Sequence, residues 1–114
     1  MEAYDSVDHL VNYNIDVIMN TTSLGMSPHV DETPFPKIMF KKGQVVFDAV
    51  YNPLRTRMLM EAEEMQCVPV SGLEMFVGQA VQQFLLWNPE AEPRREDIRN
   101  LMRDTVLARI GGRK

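Results

Sequence analysis

The stretch Val68-Pro-Val-Ser-Gly-Leu-Glu-Met-Phe-Val-Gly-Gln79 predicts a short strand that passes directly into a long helix. Ser71 is placed to cap this helix, and Glu74 completes the S-x-x-E pattern of a capping box. Apolar residues then recur at helical spacing, which predicts a helix from Ser71 to Trp87 packed against a sheet. The members of this apolar stripe are Leu73, Phe76, Val77, Ala80, Val81, Phe84 and Leu85.

A second face of the same helix carries Met75, Gln79 and either Gln82 or Gln83. A thioether and amides beside a helix N-terminus are compatible with plain surface. They are equally compatible with one wall of a binding site.

The rest of the chain alternates between predicted strands and predicted helices. Apolar, β-branched runs predict strands at 15–19, 44–51 and 67–70. Pro69 cannot donate to a ladder, so it predicts that the last strand lies at a sheet edge or that Pro69 lies at the strand's end. Helices are predicted at 5–12, 54–66 and 94–109, with Val7, Leu10 and Val11 turned inward in the first. The last helix is expected to bury Ile98, Leu101, Met102, Thr105 and Val106. This order predicts an α/β fold: a parallel sheet with helix cover, followed by two C-terminal helices.

Three loops follow the three predicted strands, at 20–26, 49–53 and 71–75. Ligands bind beyond the carboxyl ends of strands in parallel sheets, so these loops are expected to meet at one crevice. The residues expected around it are Thr21, Thr22, Tyr51, Gly72, Met75 and Gln79.

Composition limits the possible functions of this 114-residue chain. Apolar residues make up 45% and charged residues 25% of it, as in a globular domain. The net charge of -4 gives no basic surface for nucleic acid. No apolar run approaches the ~20 residues that cross a membrane, and the acidic N-terminus does not resemble a signal peptide. A cytoplasmic protein without a nucleic-acid or membrane partner is therefore expected. We interpret the nine Met residues mostly as core filler.

Few residues qualify for chemistry, and no phosphate-binding glycine loop or metal-ligand spacing is present. Cys67 is expected to be a buried, inert thiol. Asp48 interrupts an apolar strand and is more readily interpreted as an acceptor for backbone amides than as a catalyst. Tyr51 either donates to a ligand or is a half-buried residue with a hydrated hydroxyl. No catalytic residue and no metal ligand is predicted.

Three segments together resemble the successive signatures of shikimate dehydrogenase, in that family's order and spacing. They are Asn20-Thr-Thr-Ser-Leu-Gly-Met26, Phe47-Asp-Ala-Val-Tyr-Asn-Pro53 with Thr56, and Gly72-Leu-Glu-Met-Phe-Val-Gly-Gln79. The resemblance implies three regions. Residues 1–70 correspond to the second half of a Rossmann-like NADP-binding domain, 71–110 to the C-terminal helices, and 111–114 to a tail.

The resemblance also implies site residues and ligands. Asn20, Thr21 and Thr22 would line the cofactor cleft, and Ala49, Gly72 and Met75 would lie near the nicotinamide of NADP, with Gly72 letting the cofactor approach the backbone. Tyr51 and Gln79 would hydrogen-bond shikimate or 3-dehydroshikimate.

Several features of that family belong upstream of Met1: its catalytic Lys and Asp, its glycine-rich loop, its cofactor-selecting segment and its N-terminal substrate domain. We therefore expect a fragment that is inactive by itself. NADP versus NAD, and shikimate versus quinate, stay open. An alternative is a non-catalytic interaction module, possibly a homodimer, that uses helices 71–109.

Overall fold

Three parallel strands form the centre of the molecule. The computed structural model describes residues 3, 4, 6–10 and 13–111. The strands β1 (Val17–Asn20), β2 (Val45–Asp48) and β3 (Val68–Ser71) pair in the order β1-β2-β3. Val17 lies opposite Val45, and Val45 lies opposite Val68. The predicted parallel sheet is confirmed, and β3 lies at an edge of it, which is one of the two positions expected from Pro69.

The helices follow the predicted order with shifted ends. They are α1 (Arg57–Glu64), α2 (Gly72–Trp87) and α3 (Arg95–Gly111), with 3-10 turns at Val7–Leu10, Lys37–Met39 and Pro89–Arg94. The predicted first helix is thus a 3-10 turn, and its residues Asp5, Val11 and Asn12 lie outside the described residues. Of the predicted tail, Gly111 is helical and 112–114 lie outside the described residues. Among the described residues, no helix is both long and apolar enough to cross a membrane.

Helix α1 begins later than the sequence predicts because Thr56 caps it. Thr56 Oγ1 accepts a hydrogen bond from the backbone N–H of Leu59 at 3.2 Å. A threonine in this position satisfies one of the amides that have no partner within the helix. The segment from Asn52 to Arg55 is therefore a turn and not the first turn of a helix.

The apolar residues divide into two clusters. One lies between the sheet and α1, and includes Val46, Met58 and Cys67. The other joins α2 to α3, where Leu73, Val77, Val81 and Leu85 pack against partners that include Ile98, Met102 and Val106. The prediction that the α2 stripe packs against the sheet is wrong, because α3 occupies that side. The prediction that α3 buries Leu101 and Thr105 is also wrong, since both are exposed.

One face of the sheet is covered and the other is open. Val46 is fully buried against α1, whereas Val17, Met19 and Val68 are more than half exposed on the opposite face. The interpretation of the methionines as core filler holds for half of the described ones: Met58 is buried, and Met39, Met65 and Met102 pack against the two clusters. The others are exposed: Met19, Met26, Met60 and Met75.

The N-terminus of α2 is half of the predicted capping box. Ser71 Oγ accepts from the backbone N–H of Leu73 at 3.1 Å, as a cap should. Glu74 does not reach back to Ser71; it accepts from Arg99 at 2.9 Å and from Arg103 at 2.8 Å. The hydrogen bond from Arg103 is the main reason that the pKa of Glu74 is lowered. The prediction of a reciprocal capping box is therefore wrong, because the Glu74 carboxylate accepts hydrogen bonds from two arginines of α3.

Candidate functional site

A buried polar network lies where β1 and β2 end. Asp48 is fully buried and accepts three hydrogen bonds. They come from Asn20 Nδ2 at 3.0 Å, the Val50 N–H at 3.0 Å and Thr56 Oγ1 at 2.7 Å. The interpretation of Asp48 as an acceptor at a strand end is confirmed. Its carboxylate fixes both strand ends and the start of α1 relative to one another.

Asn20 uses its whole side-chain amide inside the protein. Besides Asp48, Nδ2 donates to the Leu24 carbonyl at 3.3 Å. Oδ1 accepts from the Thr22 N–H at 3.0 Å and from Thr22 Oγ1 at 2.7 Å. The side chain is buried, so it shapes the loop after β1 from beneath. Thr21 and Thr22 are among the residues that this loop exposes to solvent.

The loops after β1 and β2 are joined to each other and to α2. The Ser27 N–H donates to the Asn52 carbonyl at 2.8 Å, and the Ala49 N–H donates to the Asn20 carbonyl at 2.9 Å. The rings of Tyr51 and Phe76 stack with centroids 4.4 Å apart and an angle of 19° between their planes. Three elements are thereby held around one space.

That space is a cleft of about 740 Å³ beyond the carboxyl ends of the strands. The structure brings together four of the predicted site residues here: Thr21, Thr22, Ala49 and Tyr51. Further lining residues are Ser23, Met26, Ser27, Val50, Asn52, Phe76, Thr105, Val106, Arg109 and Ile110. The sheet edge expected to hold the crevice therefore carries a real depression.

The other predicted site residues do not line this cleft. Met75 is half exposed and Gln79 is exposed, on the solvent side of α2. Gly72 is buried, and a Cβ added to it would lie 2.4 Å from the Ala49 carbonyl oxygen. No side chain fits at that distance, so the close neighbour that requires glycine here is the backbone of residue 49.

The sequence did not predict the contribution of α3. Thr105, Val106, Arg109 and Ile110 recur at the spacing of one helix face, and all four line the cleft. That periodicity is visible in the sequence, but it does not say which loops the helix returns to. Phe76 was assigned to the apolar stripe, and its place beside Tyr51 was missed.

The side chains that line the cleft are suited to binding a ligand. Hydroxyl groups come from Thr21, Thr22 and Tyr51 among others, and apolar side chains from Phe76 and Val106. No carboxylate, His, Cys or Lys is found among the lining residues that the structure describes. Cys67 is buried in the other cluster, where burial raises the pKa of its thiol, as expected of an inert cysteine. The hydroxyl groups and the guanidinium of the cleft can bind and orient a ligand.

Comparison with known proteins identifies the relatives of this chain. No family model matches it. It is 47% identical over 78 residues to the shikimate dehydrogenase (NADP(+)) of Moorella thermoacetica, a match that covers 68% of this chain and 26% of that protein. This chain is homologous to the C-terminal portion of shikimate dehydrogenases.

Solved structures of shikimate dehydrogenase relatives share the fold. A chorismate mutase/shikimate 5-dehydrogenase fusion protein from Clostridium acetobutylicum superposes with a TM-score of 0.74 at 33% identity, over 90% of this chain and 39% of that one. Quinate dehydrogenase from Corynebacterium glutamicum in complex with NAD gives 0.69 at 29% identity, over 89% of this chain and 33% of that one. The Rossmann-like half sheet is thereby confirmed. The chain spans about a quarter of the length of the Moorella enzyme.

Proposed function

We propose that this chain supplies one wall of the active site of an NADP-dependent shikimate dehydrogenase, which interconverts 3-dehydroshikimate and shikimate. The observation that carries the proposal is the cleft beyond the carboxyl ends of β1 and β2, in a chain that is 47% identical over 78 residues to such an enzyme. Parallel α/β sheets bind their ligands at this edge.

The proposed roles follow from what each residue offers. Thr21, Thr22 and the backbone of Ala49 face the cofactor, because all three residues line the cleft. Asn20 supports them from beneath through its bonds to Thr22. Tyr51 directs a phenol hydroxyl at the substrate while its ring is held by Phe76. Aromatic rings of this kind combine an apolar body with a polar end.

Met75 and Gln79 are proposed to extend the wall along α2. Gln79 follows Phe76 by three residues, which places the two side chains on adjoining faces about one turn apart. Both Met75 and Gln79 are solvent-exposed and so accessible to a ligand or to a second wall. Gln79 would hydrogen-bond the substrate, and Met75 would contact the nicotinamide ring.

The chain by itself is proposed to have no turnover. Hydride transfer to a carbonyl requires a group that gives a proton to the developing alkoxide. The described lining of the cleft holds no Lys, His or carboxylate, and the chain spans only part of its relatives' length. Reduction of 3-dehydroshikimate by NADPH with the purified chain would contradict this.

A second candidate is an interaction module built on the helix pair. Leu86, Trp87 and Leu101 are each about 70% exposed or more, which is unusual for large apolar side chains of a monomer. The candidates are separated by thermal unfolding and sedimentation with and without NADPH. A site gives a higher melting temperature with NADPH at unchanged size. A dimer whose melting temperature ignores NADPH but rises with protein concentration favours the module.

A further inference from the structure

Among the described lining residues, Arg109 is the one that carries a charge. It lies in the last turn of α3, and it lines the same space as Thr22 and Tyr51. The lining contains no carboxylate in the part of the chain that the structure describes. The chain as a whole has a net charge of -4, yet the described lining of this cleft contains a guanidinium and no carboxylate.

Most of the other described arginines differ from Arg109, because they form ion pairs. Most of them are held by a glutamate of the surface: Arg55 by Glu63, Arg57 by Glu61, Arg95 by Glu92, and Arg99 and Arg103 by Glu74. Within the described residues, Arg94 and Arg109 have no such ion pair. Arg94 lies at the exposed end of a 3-10 turn, away from the cleft. Arg109 therefore has its donors available where a ligand would enter.

The remaining lining suits an anion attached to a flat ring. The hydroxyl groups of Thr21 and Tyr51 supplement the guanidinium, and Phe76 with Ile110 adds an apolar surface. A guanidinium forms paired, charge-assisted hydrogen bonds with both carboxylate and phosphate oxygens. We therefore expect the cleft to bind anions that carry hydrogen-bond acceptors more tightly than neutral or cationic molecules.

We propose that Arg109 is the anion-recognising residue of this cleft, binding a carboxylate or phosphate oxygen of the ligand. The inference deepens the proposed function and rests on it, because that reaction supplies both kinds of anion. The cofactor carries phosphates, and shikimate carries a carboxylate. Arg109 has a positioning role and takes no proton.

The test is a binding titration of the 114-residue chain with NADPH and, separately, with shikimate. Variants Arg109→Gln and Arg109→Lys are compared with Arg94→Gln, which removes the other described arginine that forms no ion pair. Loss of a charge-assisted bond predicts that Arg109→Gln weakens one probe by about tenfold or more. Arg109→Lys should retain part of the affinity, and Arg94→Gln all of it. The probe that weakens identifies the anion as phosphate or carboxylate.

The results that would contradict the role of Arg109 can be told apart from those that would contradict the proposed function. If the unaltered chain binds a probe and Arg109→Gln binds it equally well, the cleft has a ligand but Arg109 does not recognise it. An equal loss in Arg94→Gln points to general charge attraction and also overturns the role. Binding of neither probe by the unaltered chain contradicts both proposals. Thermal unfolding of each variant without ligand checks that the fold is kept.

Discussion

The sheet with α1 and the pair α2–α3 are stabilised in opposite ways. In the sheet region, polar groups lie inside: Asp48 and Thr56 are fully buried and bonded to each other. In the helix pair, the interior is the apolar row of α2, and the charges lie outside, where Glu74 joins Arg99 and Arg103. Polar bonds contribute most where water is excluded, so each region should respond differently to loss of a carboxylate.

The largest effect is expected from Asp48→Ala. The change leaves donors from Asn20, Val50 and Thr56 without their acceptor in a dry site, so we expect a loss of about 3 kcal/mol or more in the free energy of unfolding. Asp48→Asn keeps an acceptor oxygen and the shape, and should lose much less. Urea unfolding measures both. Equal, small losses in the two variants would mean that the network does not hold the sheet region together.

The junction between the two regions is tested by Gly72→Ala. The new Cβ would lie 2.4 Å from a backbone oxygen that cannot move freely, so a loss of about 1–3 kcal/mol is expected. Gly78→Ala is the matched control, because a Cβ there meets nothing within 4 Å. Inside a helix that control should be stabilising, by about 0.5–1 kcal/mol. Similar behaviour of the two variants would show that the close approach at residue 72 is not what selects glycine.

The smallest effect is expected from Glu74→Gln, which removes the surface ion pairs of the helix pair. At 44% side-chain exposure, solvent screens the pairs, and the loss should be below about 1 kcal/mol. Glu90→Gln, at an exposed glutamate with no ion pair among the described residues, is the control. Urea unfolding at neutral pH compares the two.

The pH dependence of that small effect has a definite sign. Arg103 lowers the pKa of Glu74 in the folded chain, so the carboxylate stabilises the fold above its ordinary pKa of 4.5. The contribution is lost as the pH falls through the lower, folded pKa. The difference between the unaltered chain and Glu74→Gln should therefore vanish in acid. A difference that persists there would mean that Glu74 acts through packing.

The two regions were also unequally predictable from the sequence. The helical spacing of apolar residues correctly predicts α2 and its buried face, because a helix with one apolar side repeats its pattern within a short stretch of sequence. It assigned the wrong partner to that face, since packing against α3 depends on residues far along the chain. Likewise, the S-x-x-E pattern correctly predicted the cap at Ser71. The Glu74 carboxylate, however, accepts from two arginines of α3 and not from the backbone N–H of Ser71. Local patterns specify elements, and distant partners decide what the elements touch.

The site shows the same division. The meeting of strand ends at one edge of a parallel sheet predicts Thr21, Thr22 and Tyr51 together, and the family resemblance adds Ala49. Arg109 was missed, because nothing near it in the sequence marks the end of α3 as part of a cleft. Burial of the whole Asn20 amide was also beyond prediction, since it depends on Asp48 in the next strand.

The central claim is that the cleft beyond β1 and β2 binds a nicotinamide cofactor, and amide chemical shifts test it most directly. NADPH is titrated into the isotope-labelled chain. The account predicts that the amides of Thr21, Thr22, Ala49 and Tyr51 move together and saturate, while Glu63 and Glu64 on the far side of α1 stay still. Saturable shifts confined to the open sheet face at Val17, Met19 and Val68, or no shifts at millimolar NADPH, would contradict it.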